Sequence, residues 1–454
     1  MARKADEMQA SESGSTTGLD GTAATAAGVG QSRRKFLKTG LAGAGVLAAS
    51  GPLTSLLAAC GSSSTSGQKV GPNTTGTLNI WHYATASDVA TVKNYTKLFQ
   101  KKFPKVNVQM TYIEFSAYPN RVIAAAGAKS GPDVLIYGGN ETVNMYQAGA
   151  FYDLNSRWTQ FADRDQFPDS VITKFKNKVY GIKGYVNLTG LWYNKDILDA
   201  AGVQPPKTFD DVTPALAKVA AAGKKYVPIA LTGQPSDQGD WTAWPWLSGY
   251  GFSYDKPDQS AIEKAYSLVG QWARAGYIPK EAVTWGQAET FTRFAVGDVA
   301  FMENGNWNIG PAKQSFKFTY GTADFPKGPQ GGTLFLGGEA LWVGAFTKNP
   351  DLAWAYLDST LLTKAGELIT LNGAGSIPSR KDMATSSAVK AQPLVAPYVR
   401  SVETRGAEYP PAGGAAAAAQ NIVAQNWSAV IAGQKSPQQA AADTASGVKS
   451  NFKP

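Results

Sequence analysis

The sequence predicts an α/β fold, and three observations carry that reading. Between residues 77 and 137, segments with strand periodicity alternate with segments of helix periodicity. Further short apolar runs follow, separated by helical patterns, as in a sheet with helices packed on its faces. No repeat of about 20–50 residues runs along the chain, which argues against a solenoid or a propeller.

The first strand is expected from Thr77, where Leu78 and Ile80 alternate, to Trp81-His82-Tyr83. Val92, Tyr95, Phe99 and Phe103 then recur at helical spacing and make one apolar face, which Pro104 stops. Val106, Val108, Met110 and Tyr112 alternate as a second strand. After another helical stretch, Gly131-Pro132-Asp133 leads into Val134-Leu135-Ile136-Tyr137, a continuous apolar run typical of a buried parallel strand. Asp133 is expected to organise the turn before it. Strand, helix, strand, helix, strand implies right-handed crossovers. Buried strands are also expected at Leu191-Trp192-Tyr193, Val299-Ala300-Phe301-Met302 and Leu341-Trp342-Val343. Helical patterns dominate after Pro350, and Gly413 to Gln420, an Ala-rich run, reads either as a loop entering a helix or as a mobile segment.

The N-terminal region reads as an address. Residues 1–32 are rich in Gly, Ala, Ser and Thr without apolar periodicity, so burial cannot offset the entropy of ordering them. Ser32 to Lys38, with the pair Arg33–Arg34, resembles a twin-arginine export signal. Residues 39–59 carry no charge and end in Leu57-Ala58-Ala59-Cys60, which resembles a lipoprotein cleavage box with Cys60 as the lipid attachment site. Residues 1–59 are therefore expected to be a signal peptide, and residues 60–76 a flexible tether. A transmembrane helix is the alternative, but Gly40, Gly43, Gly45, Gly51 and Pro52 leave that stretch only weakly apolar.

Cys60 is the only cysteine and His82 the only histidine, which excludes an intrachain disulfide and any metal site needing two such ligands. No GxSxG elbow accompanies His82, and no EF-hand spacing is present, although a carboxylate-rich calcium site stays open. No catalytic residue, cofactor or metal is implied. The formal charge is +9; cleavage after Ala59 leaves 37 basic against 30 acidic residues, or +7, with no basic block. That excess reads as a solvated face rather than a nucleic-acid interface.

The order of motifs resembles the family-1 extracellular solute-binding proteins of ABC transporters, the group that includes maltose-binding protein. GPDVLIYGGNETVNMYQAGAFYDL (Gly131 to Leu154), VYGIKGYVNLTGLWYNKDIL (Val179 to Leu198) and PPKTFDD (Pro205 to Asp211) follow one another in the family's order. FAVGDVAFMENGNWNIG (Phe294 to Gly310), Gly337-Gly338-Glu339 and GSIPSR (Gly375 to Arg380) complete it, so the resemblance spans residues 77–452. One departure is Lys183, where the family usually has proline. The resemblance implies two discontinuous α/β lobes with a ligand cleft between them, a type II periplasmic-binding-protein-like fold. Lobe I would comprise 77–185 plus 340–382 and lobe II 186–339 plus 383–454, with crossings near 185–187, 337–339 and 380–390. It also implies a carbohydrate ligand, ABC permease subunits as partners, a monomer, and lipid anchoring at the outer face of the cytoplasmic membrane.

In an open α/β sheet, ligands sit beyond the carboxyl ends of strands, where loop amides and helix N-termini converge. On that ground the candidates are His82, Tyr83, Thr85, Tyr137, Gly138, Asn140 and Trp307. The resemblance adds Tyr185, Asn187 and Trp241, and supports Trp307; Trp244, Gly338 and Glu339 complete the candidates. Sugars stack their C–H faces on aromatic rings and need paired donors and acceptors for their hydroxyls. Trp241 to Trp246 places three tryptophans within six residues, which suits stacking, whereas Trp192, Trp272, Trp342, Trp354 and Trp427 read as core. His82 fits a hydrogen-bonded structural role or a ligand contact; Glu339 and Arg380 fit hydroxyl binding or simple pairing and capping.

The competing readings are an exported carbohydrate-active enzyme, a surface adhesion protein, or the same fold binding a polyamine or phosphate ester. A glycosidase needs two facing carboxylates, for which Glu141, Asp153, Asp240 and Glu339 are available, though none sits in a catalytic motif. A polyamine would want several cleft carboxylates, and a phosphate ester an Arg or Lys cluster.

Overall fold

The alternating and apolar runs assemble into two separate sheets. A computed structural model describes residues 70–452, apart from 84–85, 116, 140, 409 and 412–413. The expected signal peptide, Cys60, the first part of the tether, Thr85 and Asn140 lie outside the described residues. The tether was expected to run to residue 76, but the chain already holds structure at Val70, which packs against the lobe I core. Thr74 N donates to the Gly71 carbonyl at 2.9 Å and closes a turn there. No helix among the described residues is long and apolar enough to cross a membrane.

In the first sheet, Gly76–His82 lies between Val106–Tyr112 and Val134–Tyr137, and both pairings are parallel. Ala340–Val343 then enters antiparallel to Val134–Tyr137 and pairs on its other edge with Lys178–Lys183. Ile172–Phe175 closes the edge as a hairpin. Its two-residue turn, Lys176–Asn177, has φ of +48° and +63°, the left-handed pair that matches strand twist. Both faces of this sheet are covered. Val134 and Ile136 pack with Leu78, Phe99 and Tyr356 on one side, and Leu135 and Tyr137 with Trp342 and Phe151 on the other.

The second sheet orders Tyr320–Ala323, Thr189–Asn194, Val299–Gly305 and Val227–Ala230. Its core is richer in tryptophan, with Trp192, Trp246, Trp272 and Trp427 fully buried. The Ala-rich run is helical, within Gly414–Ile431, where Ala416 and Ala419 are buried. Alanine combines high helix propensity with a side chain small enough for close packing.

Three connections join the sheets. The first passes through Tyr185–Val186, the second through Gly337–Glu339 and the third through Ile377–Pro378, which pairs antiparallel with the first. The third therefore crosses slightly before the expected 380–390, where Ile377 pairs with Val186 and Pro378 with Tyr185. Gly337 N donates to the Asn187 carbonyl at 2.7 Å. Gly338 has φ +104°, and a Cβ there would lie 2.1 Å from the Tyr185 carbonyl oxygen. Only glycine fits both the conformation and the gap. Gly338→Ala should cost about 2 kcal/mol or more, seen as a lower urea midpoint with an unchanged slope; an unchanged midpoint would contradict this packing.

Candidate functional site

A cavity of about 290 Å³ opens between the two sheets, with the first and second connections along its base. From the first lobe, Tyr83 follows the end of Gly76–His82 and Phe115 lies three residues past Val106–Tyr112, so both stand at carboxyl ends of strands. Their rings meet edge to face with centroids 5.0 Å apart. Gly138 and Gly139, just past Val134–Tyr137, present backbone to the cavity. A Cβ on Gly139 would meet the Tyr137 hydroxyl at 2.1 Å, so the glycine lets the chain fold over that ring.

From the second lobe, Trp241 and Trp307 line the cavity as an edge-to-face pair with centroids 6.4 Å apart. Trp241 belongs to helix Asp237–Gly249. Asp237 and Gln238, four and three residues ahead of it, share its face and also line the cavity. Gln287 joins them, its backbone N–H donating to Gln238 Oε1 at 2.7 Å. Surrounding protein raises the Asp237 carboxyl above its ordinary value and the Glu141 carboxylate adds to the shift, but the side chain is open to solvent, which limits the effect.

The base is built from the connections. Tyr185, Asn187, Gly337, Gly338 and Glu339 all line the cavity. Asn187 is held by Asn306 Nδ2, which donates to its Oδ1 at 3.3 Å, while Asn306 Oδ1 accepts from Leu188 N at 2.9 Å. Tyr83 donates its hydroxyl hydrogen to Glu339 Oε1. The other carboxylate oxygen, Oε2, is buried without a hydrogen-bond partner among the described residues. No arginine or lysine lines the cavity among the described residues.

Of the residues predicted from sequence, the structure brings Tyr83, Gly138, Tyr185, Asn187, Trp241, Trp307, Gly338 and Glu339 to one cavity. Three others lie elsewhere. Tyr137 is 2% exposed beneath the floor, stacked on Tyr118 at 4.8 Å. Burial raises its phenol pKa, with Glu141 and Asp237 adding to the shift. His82 is buried at the strand end, where its carbonyl accepts from Ile113 N at 2.8 Å and burial lowers the imidazole pKa. Trp244 is core: it stacks on Phe335 at 4.3 Å and donates Nε1–H to Thr333 Oγ1 at 3.2 Å. Arg380 is structural too, donating to Asp163, Asp382 and the Leu362 carbonyl. Phe115, Gly139, Asp237, Gln238, Gln287 and Gly337 were missed as candidates. Helical spacing back from Trp241 could have found Asp237 and Gln238, and the strand-end rule could have found Phe115.

A profile of the bacterial extracellular solute-binding protein family matches residues 94–397. The chain belongs to that family. The maltodextrin-binding protein MdxE of Bacillus subtilis is 26% identical over 87% of this chain and 94% of its own length. The multiple sugar-binding protein of Streptococcus mutans is 26% identical over 67% of this chain and 75% of its own. Among solved structures, the GacH receptor of Streptomyces glaucescens, determined unliganded and with acarbose, superposes with a TM-score of 0.75. It is 23% identical and the match covers 84% of this chain and all of that one, so it speaks for the two-lobed α/β fold.

The two neighbouring tryptophans should respond differently to truncation. Trp244→Ala should cost about 3–5 kcal/mol, as for a large core aromatic, whereas Trp241→Ala should cost less than about 1.5 kcal/mol. Chemical denaturation of both variants measures the contrast, and equal losses would place Trp241 in the core.

Proposed function

We propose that this protein is an extracytoplasmic lipoprotein that captures a carbohydrate in its interlobe cleft and delivers it to the permease of an ABC importer. The observation that carries the reading is the composition of the cavity wall. Trp241 and Trp307 offer aromatic faces, while Asn187, Gln238, Gln287, Glu339 and the glycine backbone offer hydrogen-bonding groups. Sugars need both surfaces at once. The absence of basic side chains along the described wall speaks against a phosphate ester. The relatives support the same ligand class: the Bacillus subtilis protein, matched over 94% of its length, is a maltodextrin-binding protein, and the Streptococcus mutans protein, matched over 75%, is a multiple sugar-binding protein.

Binding rather than turnover is favoured by the placement of the carboxylates. Asp240 is fully buried and accepts the Tyr254 hydroxyl, and Asp153 pairs with Lys178 at 2.7 Å. Among the described residues, the carboxylates that line the cavity are Asp237 and Glu339, and Glu339 is engaged by Tyr83. Anchoring is supported by Arg33–Arg34, the uncharged stretch 39–59 and Cys60. A relative in Streptococcus pneumoniae, 28% identical over 46% of this chain and 51% of its own length, is a maltooligosaccharide ABC transporter solute-binding lipoprotein.

A thermal-shift screen against mono- and oligosaccharides, polyamines and phosphate esters tests the ligand class. A sugar at about 100 times its Kd should add about 2.7 kcal/mol and raise Tm by several degrees. Trp241→Ala or Trp307→Ala should abolish the shift; stabilisation by polyamine alone would sink the sugar assignment. Turnover of a glycoside by the purified protein would overturn the binding reading. For the anchor, Cys60→Ala should move the protein from the membrane fraction to the medium on cell fractionation, and its retention on membranes would refute lipidation at that residue.

A further inference from the structure

We infer that Lys183 is a positioning residue of the cleft, its ammonium fixing the Gly338–Glu339 connection so that Glu339 is presented to the bound solute. The inference rests on the binding reading above, but its basis is the geometry of one residue. Lys183 ends strand Lys178–Lys183, and the chain makes its first crossing immediately after it. Its backbone is in register with Ala340, which follows the second connection. Its carbonyl accepts the Ser379 hydroxyl at 2.8 Å, just past the third. Its Nζ donates to the Gly338 carbonyl at 3.2 Å. One residue therefore abuts the first connection, bonds to the second and holds the residue that follows the third.

The carbonyl that Lys183 holds belongs to the peptide that leads into Glu339. That peptide has little freedom, since Gly338 is already pressed against the Tyr185 carbonyl. Holding its orientation sets where the Glu339 side chain starts. From there one carboxylate oxygen takes the Tyr83 hydroxyl, while the other is buried without a partner among the described residues. The Lys183 cation also offsets a carboxylate that no basic residue of the cavity wall neutralises among the described residues.

Enclosure by protein pushes the Lys183 ammonium down to about 8, and the Glu339 carboxylate opposes that shift. Below that pH the side chain is a cationic donor; above it, a neutral amine that holds Gly338 more weakly. Solute affinity should therefore fall as pH rises through about 8. The sign for the unliganded fold is opposite. A lysine whose folded pKa lies below its unfolded value gains stability as pH rises between the two. Other titratable or charged groups on the elements packed here are Glu339 and Tyr83, Tyr185 on the first connection, and Glu367, Arg380 and Asp382 around Ser379. Burial lifts Glu367 to about 7, inside the same pH range, so the Lys183→Met variant is what separates its titration from that of Lys183.

The test measures Lys183 directly as well as its effect. NMR of protein carrying ε-13C-lysine should show one resonance titrating near 8 that is missing in Lys183→Met. Calorimetry with maltotriose as the probe should show affinity falling about ten-fold between pH 7 and 9.5. Lys183→Met should bind more weakly with no such fall, and Lys183→Arg should restore binding without it. Titration of the Lys183 resonance above pH 10, or a wild-type pH profile in Lys183→Met, would overturn the inference. If maltotriose does not bind wild type, that outcome counts against this ligand, and Lys183 is judged by NMR and by hydrogen exchange. Exchange at residues 337–340 should then speed up in Lys183→Met, and unchanged exchange would overturn the inference.

Discussion

The close approach of two backbones at Gly338 is the contact on which the rest of the cleft depends. The second connection runs so near the first that no side chain fits between them, and Gly337 is tied to Asn187 by a 2.7 Å hydrogen bond. That closeness places Tyr185, Asn187 and Glu339 on one base. It also lays Gly337 against Trp241, where a Cβ would come within 2.9 Å of the ring. Substituents here would push the tryptophan off the base, so the wall and floor of the cavity are set by the same constraint. The ribbon between Tyr185–Val186 and Ile377–Pro378 adds the third connection to this bundle.

The fold was legible where burial acts on both faces or with a clean period. Val134–Tyr137 is apolar at every position because helices cover both sides of its sheet, and such a run can be recognised without neighbours. Helix Ala86–Lys102 announced itself through Val92, Tyr95 and Phe99, all buried. Val227–Ala230 was not legible, because Pro228 interrupts the run; the strand tolerates it at the edge of its sheet. Nor was Lys178–Lys183, whose glycine and flanking lysines mask a strand stabilised by its partners on either side.

The site was legible in part for a related reason. Residues on the connections and at strand ends are placed by topology, so Tyr83 could be named from its strand end and Tyr185, Asn187 and Glu339 from motif order. Residues on a helix are placed by its rotation, which a cluster of identical types does not reveal. On helix Asp237–Gly249, Trp244 sits about 60° from Trp241 and Trp246 about 140° away. That is enough to bury Trp244 on Phe335 and to send Trp246 to Glu303, whose Oε2 accepts its Nε1–H at 2.7 Å. Tyr137 failed as a candidate because alternation turns it to the sheet face it shares with Leu135, beneath the floor.

The division of the wall among lobes and connections bears on how a solute could drive closure. Contacts made by Tyr185, Asn187 and Glu339 belong to the base, next to the axis about which the lobes would move. They change least between open and closed forms, so they add affinity to both and shift the balance little. The bias must come from groups carried by opposite lobes: Tyr83 and Phe115 on one, Trp241, Trp307 and Gln287 on the other. Moving an equilibrium from 1:99 to 99:1 takes about 5.5 kcal/mol of differential affinity. An aromatic contact supplies about 0.5–1.5 kcal/mol beyond the area it buries, so one ring is insufficient. Four rings supply about 2–6 kcal/mol, so a solute wide enough to touch both aromatic pairs needs hydrogen bonds on both lobes as well to reach the requirement; a smaller one resting on the base alone would bind without closing the cleft.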